Sequence, residues 1–171
     1  YAPDRAKCNM PSGNPKGCDG SGIRMGMGVG GAAVNMSEGL LTTPFFPPAT
    51  HIKGLLVNAQ GQRFVNEDCY HGRVTDAILQ KADGRAYLVV DDSLYDAEKQ
   101  FVPYPIAGMG ETIEELEAEL EIPKGHLAHT VESYNESASK GEDPTQHKAA
   151  TWLTPLENPP YAALDLSVDK S

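Results

Sequence analysis

The stretch 54–67, GLLVNAQGQRFVNE, constrains this chain more than any other. Gly54–Asn58 is an apolar run, and Gln62–Asn66 resumes the pattern through Phe64 and Val65. Between them Ala59-Gln60-Gly61 has turn chemistry. The arrangement predicts a β-hairpin with Gly61 in a left-handed conformation, and so commits the chain to a sheet. Ala86–Val90, closed by Asp91-Asp92, is a second strand, and Tyr161–Leu166 (YAALDL) begins a third.

The densest chemistry follows the hairpin directly. Asn66-Glu67-Asp68-Cys69-Tyr70-His71-Gly72-Arg73 offers a carboxamide, two carboxylates, a thiol, a phenol, an imidazole and a guanidinium. A helix over Arg73–Gln80 comes next, with Val74, Ala77 and Ile78 as its buried side. Asp68, Cys69 and His71 fit no zinc spacing, even with His126, His129 and His147 downstream, so no metal set is assigned. Cys69 and His71 stand two apart in an extended segment and point the same way, but no orienting third group is visible. Tyr70, His71 and Arg73 are candidates for proton transfer. The plainer reading of all eight is a surface turn held by its own salt bridges.

Before the hairpin, Ile23–Met36 (IRMGMGVGGAAVNM) is read as a helix. Its glycines each cost about 0.8–1 kcal/mol against Ala, so close backbone packing must offset them. Asp19-Gly20-Ser21-Gly22 precedes it and presents backbone N–H groups to an anion. It is not a dinucleotide fingerprint, since the G-x-G-x-x-G spacing and a βαβ unit are missing. Phe45 and Phe46, between Pro44 and Pro47-Pro48, read as a rigid crossover or as the wall of a ligand cavity.

After the second strand, Ser93 with Asp96 is expected to cap a short helix, 94–99. Thr112 and Glu115 form a capping box. Ile113, Leu116 and Leu120 then line one face, and six glutamates between 111 and 121 are read as facing water. Pro123 suits the first turn of the next helix, whose stripe is Leu127, Val131, Tyr134 and Ala138 and whose end is Gly141. Residues 142–160 read as a linker-like passage anchored by Trp152 and Leu153.

Twenty-four acids against 14 Lys and Arg leave a net charge of −10, which disfavours nucleic acid and anionic membranes as partners. No run of 18 apolar residues exists, so no membrane-spanning helix is expected. Cys8, Cys18 and Cys69 are too few for a disulfide framework and favour a reducing compartment; a cytoplasmic location is the expectation. A start at Tyr1 reads as a processed or cut chain.

Five pieces carry a resemblance: 19–26 (DGSGIRMG), 54–67, 86–92 (AYLVVDD), 127–143 (LAHTVESYNESASKGED) and 160–166 (PYAALDL). Together they resemble the flavoprotein family of fumarate reductases and 3-ketosteroid dehydrogenases. The resemblance implies an α+β fold: a small sheet and several helices forming a cap domain, plus a partial edge of an FAD-binding domain. It implies a partial FAD-domain segment over 1–50, the substrate-binding cap over 51–160, and a return to the FAD domain over 161–171. The parent would be an FAD-dependent oxidoreductase acting on CH–CH bonds, and this chain an internal fragment, inactive when isolated. Asp19, Gly20, Ser21 and Gly22 would touch FAD, with Ser21 where an acid is usual. The fumarate-reductase subgroup has its catalytic arginine at the sixth position counted from Asn66, which is His71 here, and its relay positions fall on Pro47 and Thr50. The steroid branch uses tyrosine hydroxyls, for which Tyr70 is the candidate, tuned by His71 or Arg73. Phe45 and Phe46 would suit a small apolar or enone substrate better than a dicarboxylate. The alternative to an enzyme is a catalytically inert cap module whose partner is the remainder of the flavoprotein.

Overall fold

The computed structural model describes residues 17–36, 48–96 and 104–168. The chain divides into two compact units, Tyr1–Leu41 with Asp169–Ser171, and Thr42–Val168.

In the first unit, helix α1 (Ser21–Gly28) starts two residues earlier than expected and stops eight residues sooner. Its glycines act as a terminator. Gly30 turns left-handed, and the Gly31 N–H reaches back to the Gly26 carbonyl at 2.9 Å, which closes the helix C-terminus. None of its residues is buried, and Ile23, Met25, Met27, Val29 and Val34 stand exposed.

The second unit is built on a four-stranded antiparallel sheet of order β1-β2-β4-β3. The short helix α2 (Ala49–Ile52) leads into β1 (Leu55–Asn58), which pairs with β2 (Ala86–Asp91) in the register Leu55↔Val89 to Asn58↔Ala86. Strand β4 (Tyr161–Asp165) lies between β2 and β3 (Ile106–Gly110), with a bulge in β3 between Ile106 and Gly108. Both β1 and β2 are buried along their whole length, as their continuous apolar runs require.

The expected hairpin shrinks to a single bridge, Val57↔Arg63, because the next N–H on that edge of β1, that of Leu56, is taken by the Glu67 carboxylate at 3.0 Å. The turn itself is as read. Gly61 takes φ +74°, and a Cβ there would meet the Leu127 nitrogen and Ile122 Cγ2 at 2.9 Å. Gly61→Ala therefore combines left-handed strain with a backbone clash. It should lower stability by more than about 1 kcal/mol, read as a lower urea midpoint at unchanged slope.

Helix α3 spans His71–Lys81 and buries Gly72, Val74, Thr75, Ala77 and Ile78. Helix α4 (Ile113–Glu119) opens on Thr112, whose hydroxyl accepts from the Glu115 N–H at 3.2 Å. Glu115 returns its carboxylate to the Glu111 N–H rather than to Thr112 itself. Helix α5 (His126–Ala138) buries Leu127, Val131, Tyr134 and Ala138, the whole predicted stripe. Its N-cap is Gly125; Pro123 lies outside the helix and accepts the His126 N–H.

Not all six glutamates face water. Glu117 is buried, and its carboxylate accepts from the N–H groups of Gly125, Leu127 and Ala128. It satisfies the open donors at the start of α5, which is why a charge tolerates burial there. Ser93 does not open a helix within the described residues; its hydroxyl donates to Asp91 instead, and 97–99 lie outside them. The linker-like passage holds one 3-10 turn, Ala150–Trp152.

Candidate functional site

Residues 66–70 connect the Arg63 bridge to α3 through a turn rather than in extended form. Asn66 Oδ1 accepts the Asp68 N–H at 2.8 Å, and the Asn66 carbonyl accepts the Cys69 N–H at 3.4 Å. The turn removes the geometry that would have aligned Cys69 with His71. Burial pushes the Cys69 thiol up, more than nearby Arg73 pulls it down, so it is no activated nucleophile.

Tyr70 sits at the N-cap position of α3, and its carbonyl accepts from the N–H of Arg73 at 2.7 Å and of Val74 at 3.3 Å. Its side chain is 58% exposed, with the ring centroid 4.2 Å from that of His71 at 44°. His71 is half-buried as the first residue of α3, and Arg73 is exposed. Two residues apart on a helix is about 200° of rotation, so Arg73 does not point where a side chain at 71 points. The structure thus groups Tyr70 with His71 and sends Arg73 to another side.

Beneath this turn lies a feature that spacing did not show. Arg63, Glu67, Asp143 and Lys148 form a buried cluster of two cations and two anions. Arg63 grips Glu67 through Nε (3.0 Å) and Nη2 (2.8 Å), and Asp143 through Nη1 (3.0 Å) and Nη2 (2.9 Å). Lys148 Nζ is 3.2 Å from Glu67 and donates to the Gly54 carbonyl at 2.7 Å. Glu67 also accepts the Leu56 N–H at 3.0 Å. Both cations lie over the Tyr134 ring, at 5.0 and 5.3 Å from its centroid. Asp143, within the passage read from sequence as linker-like, is buried here. The only hint was Arg63 and Glu67 four apart in the hairpin segment; their partners come some 80 residues later.

Burial raises the Asp143 carboxyl, but Arg63 and the Lys148 N–H outweigh it and hold the group well below 3.8. Burial pushes the Lys148 ammonium down against the pull of Glu67, and pushes the Tyr134 phenol up to about 12. Because Asp143 binds its proton less readily when folded, the unfolded chain takes up protons first. Its contribution is complete above the ordinary carboxyl value of 3.8 and is lost as pH falls below it. Thermal unfolding between pH 7 and pH 2 should show a steep loss of Tm in that acid range, and Asp143→Asn should flatten it.

A groove of about 690 Å³, lined by Glu111, Glu132, Glu136, Glu157 and Tyr161 among others, is open and contains none of residues 66–73. A smaller hollow of about 330 Å³ lies over Arg63, Tyr134 and Asp143. In the other unit, Asp19 Oδ1 accepts the Ser21 N–H at 2.9 Å, which lowers the Asp19 carboxyl. One carboxylate thus already occupies the start of α1. Gly20 and Gly22 are open, with nothing within 4 Å of an added Cβ. Phe45 and Phe46 lie outside the described residues, as does Pro47; Thr50 is in α2 with its hydroxyl buried.

The chain matches the FAD binding domain family over residues 5–170. It is 40% identical over 78 residues to a 3-oxo-5-alpha-steroid 4-dehydrogenase of Comamonas testosteroni, covering 46% of this chain and 15% of that protein. It is 30% identical over 114 residues to a probable fumarate reductase of Shewanella frigidimarina, covering 65% and 19%. Among solved structures it is similar to the 3-ketosteroid-delta4-(5alpha)-dehydrogenase of Rhodococcus jostii in complex with 4-androstene-3,17-dione. That match has a TM-score of 0.65 and 40% identity, over 70% of this chain and 26% of that one. The chain therefore spans between 15% and 26% of these relatives. With a family match running through nearly its whole length and oxidoreductases as its relatives, the chain belongs to the FAD-binding-domain family of flavoproteins.

Proposed function

We propose that the unit built on the four-stranded sheet is the substrate-facing cap of an FAD-dependent dehydrogenase acting on a 3-oxo steroid or a similar apolar enone. The observation that carries this reading is Tyr70. It is a phenol more than half exposed at the start of α3, packed on an imidazole at the position where the resemblance to fumarate reductases implies an arginine. The 40% identical relatives are steroid dehydrogenases by name, one of them complexed with a steroid dione. Arg73 does not replace the missing arginine, because the helix turns it away from position 71.

FAD, when bound, supplies the acceptor for the hydride. The first unit fits such a ligand at α1: Gly20 and Gly22 leave its start open, and its apolar residues are uncovered. Since Asp19 already places a carboxylate there, this end suits a hydroxyl-bearing part of the cofactor better than a phosphate. Asp19, Gly20, Ser21 and Gly22 are the residues that would hold it. Tyr70 acts on the proton. As the carbon next to the ketone loses a proton and its neighbour a hydride, a C=C bond forms. The Tyr70 hydroxyl would take up that proton in the same step as it hands its own to solvent water, which its exposure allows. His71 orients the phenol, and Arg73 adds a positive field at the turn, as it does at Cys69.

The test uses the flavoprotein that contains this chain. Mixed anaerobically with a saturated 3-oxo steroid, its flavin absorbance should bleach within the turnover time. Its reduced form should not be reoxidised by fumarate. Reoxidation by fumarate without steroid bleaching would overturn the reading in favour of the fumarate branch. Failure of both would leave an inert cap.

A further inference from the structure

We propose that residues 143–149 form a clasp that positions Tyr70, with Asn66, Asp68, Asp143 and Lys148 as positioning residues. This deepens the reading of Tyr70 above and rests on it.

The turn 66–70 has no helix or strand of its own, so its place must be fixed by side chains. Its ties beyond its own residues run mainly to one loop. Asn66 Nδ2 donates to the His147 carbonyl at 3.0 Å, and Asp68 Oδ2 accepts the Ala149 N–H at 2.7 Å. Glu67, between them, is held by Arg63 and Lys148. The loop is in turn shaped around one carboxylate. Asp143 accepts from the N–H groups of Thr145, Gln146 and Lys148 and from the Thr145 hydroxyl.

Two observations argue that this arrangement serves more than stability. First, an apolar set of equal volume commonly matches or exceeds a buried ion cluster in stability. What ion pairs add is one permitted geometry, because each oxygen and N–H must meet its partner. Second, His147 is held at φ +59°, left-handed backbone that is uncommon outside glycine and that Asn, Asp and His take most often. The residue in that conformation is the one whose carbonyl receives Asn66. Sparsely populated backbone held in place by its surroundings gathers where a position has to be exact. The line of contacts runs from Asp143 through 147–149 to Asn66 and Asp68, and ends two residues before Tyr70.

Asp68→Ala and Asn66→Ala cut the clasp without leaving a charge buried, and each is tested in two ways. In the 171-residue chain, amide hydrogen exchange over 68–72 should quicken at least about tenfold, while β2 and β4 keep their protection. In the whole flavoenzyme, kcat should fall about 10- to 100-fold, as for a small misplacement of a reacting group, with KM changed less than about threefold. Unchanged exchange would overturn the clasp. Faster exchange with unchanged kcat would overturn its positioning role if Tyr70→Phe is impaired. Normal turnover by Tyr70→Phe would overturn the reading of Tyr70 instead, and the proposal with it. Should Asp68→Ala fail to fold, Asn66→Ala carries the test; because it removes the acceptor of the Asp68 N–H along with the donor to His147, its exchange is read over 69–72.

Discussion

Tyr70→Phe should lower the rate of flavin reduction by a 3-oxo substrate about 10²- to 10⁴-fold, the range for loss of a positioned acid or base. The substitution removes one oxygen from a side chain 58% exposed. Its effect on stability should therefore stay within about 0.5 kcal/mol, as for other surface changes. Ring contact with His71 is retained, so substrate binding should change little and KM should hold within a few-fold. Rapid-mixing absorbance separates the reduction step from binding. A loss confined to KM would make Tyr70 a contact of the substrate rather than its proton carrier. His71→Ala should give a smaller loss of the same kind, since the imidazole touches the phenol and not the substrate.

The second large effect belongs to the scaffold. Arg63→Ala takes from the buried Glu67 and Asp143 the guanidinium they share, and Lys148, paired with Glu67, is the cation left in the cluster. Breaking a buried pair from one side costs about 3–5 kcal/mol, a large part of the 5–15 kcal/mol that holds a domain folded. Urea unfolding of the 171-residue chain should show a midpoint lowered accordingly, or a chain unfolded at 25 °C. Arg63→Lys should recover only part, because an ammonium cannot hold two carboxylates through paired N–H groups. Replacing Arg63, Glu67, Asp143 and Lys148 together by apolar residues of like volume should recover only part of the stability, because the N–H groups of Leu56, Thr145, Gln146 and Lys148 lose their acceptors. It should not restore the clasp on Tyr70.

The parts of this fold legible in the sequence are those whose cause is local. The stripe Leu127, Val131, Tyr134 and Ala138 is a helical period and is buried as such. Thr112 signals its cap within four residues, and Gly61 its turn within three. Strand β3 was missed because Ile106–Gly110, with two glycines in five residues, has poor strand propensity. It exists because β4 pairs with it and α4 crosses close above: a Cβ on Gly110 would meet the Leu116 nitrogen at 2.8 Å. The glycine-rich helix was overextended because a loose apolar period hid the terminating role of Gly30 and Gly31.

Of the candidate site, the density of reactive groups over 66–73 drew attention to that turn, and the resemblance to Tyr70 within it. Glu117 was misread as facing water, and Asp143 was passed over within the linker-like passage, because burial of a carboxylate depends on donors that lie elsewhere in the chain. No periodicity records that Asp143 meets Arg63 across 80 residues.

The strand order has a consequence for how the chain comes to be folded. Strand β4 is the last strand among the described residues, yet it lies inside the sheet, and β3 pairs with no other described strand. As the chain emerges from a ribosome, β1 and β2 can zip together while β2 keeps one edge open and β3 has nowhere to bind. Assembly waits for residues 161–165, so the sheet closes only through contacts distant in sequence, the kind that slow folding. Until then, the open edge of β2 is a template for the same strand from a neighbouring nascent chain. Crowded synthesis therefore exposes this molecule to misassembly before its sheet has closed.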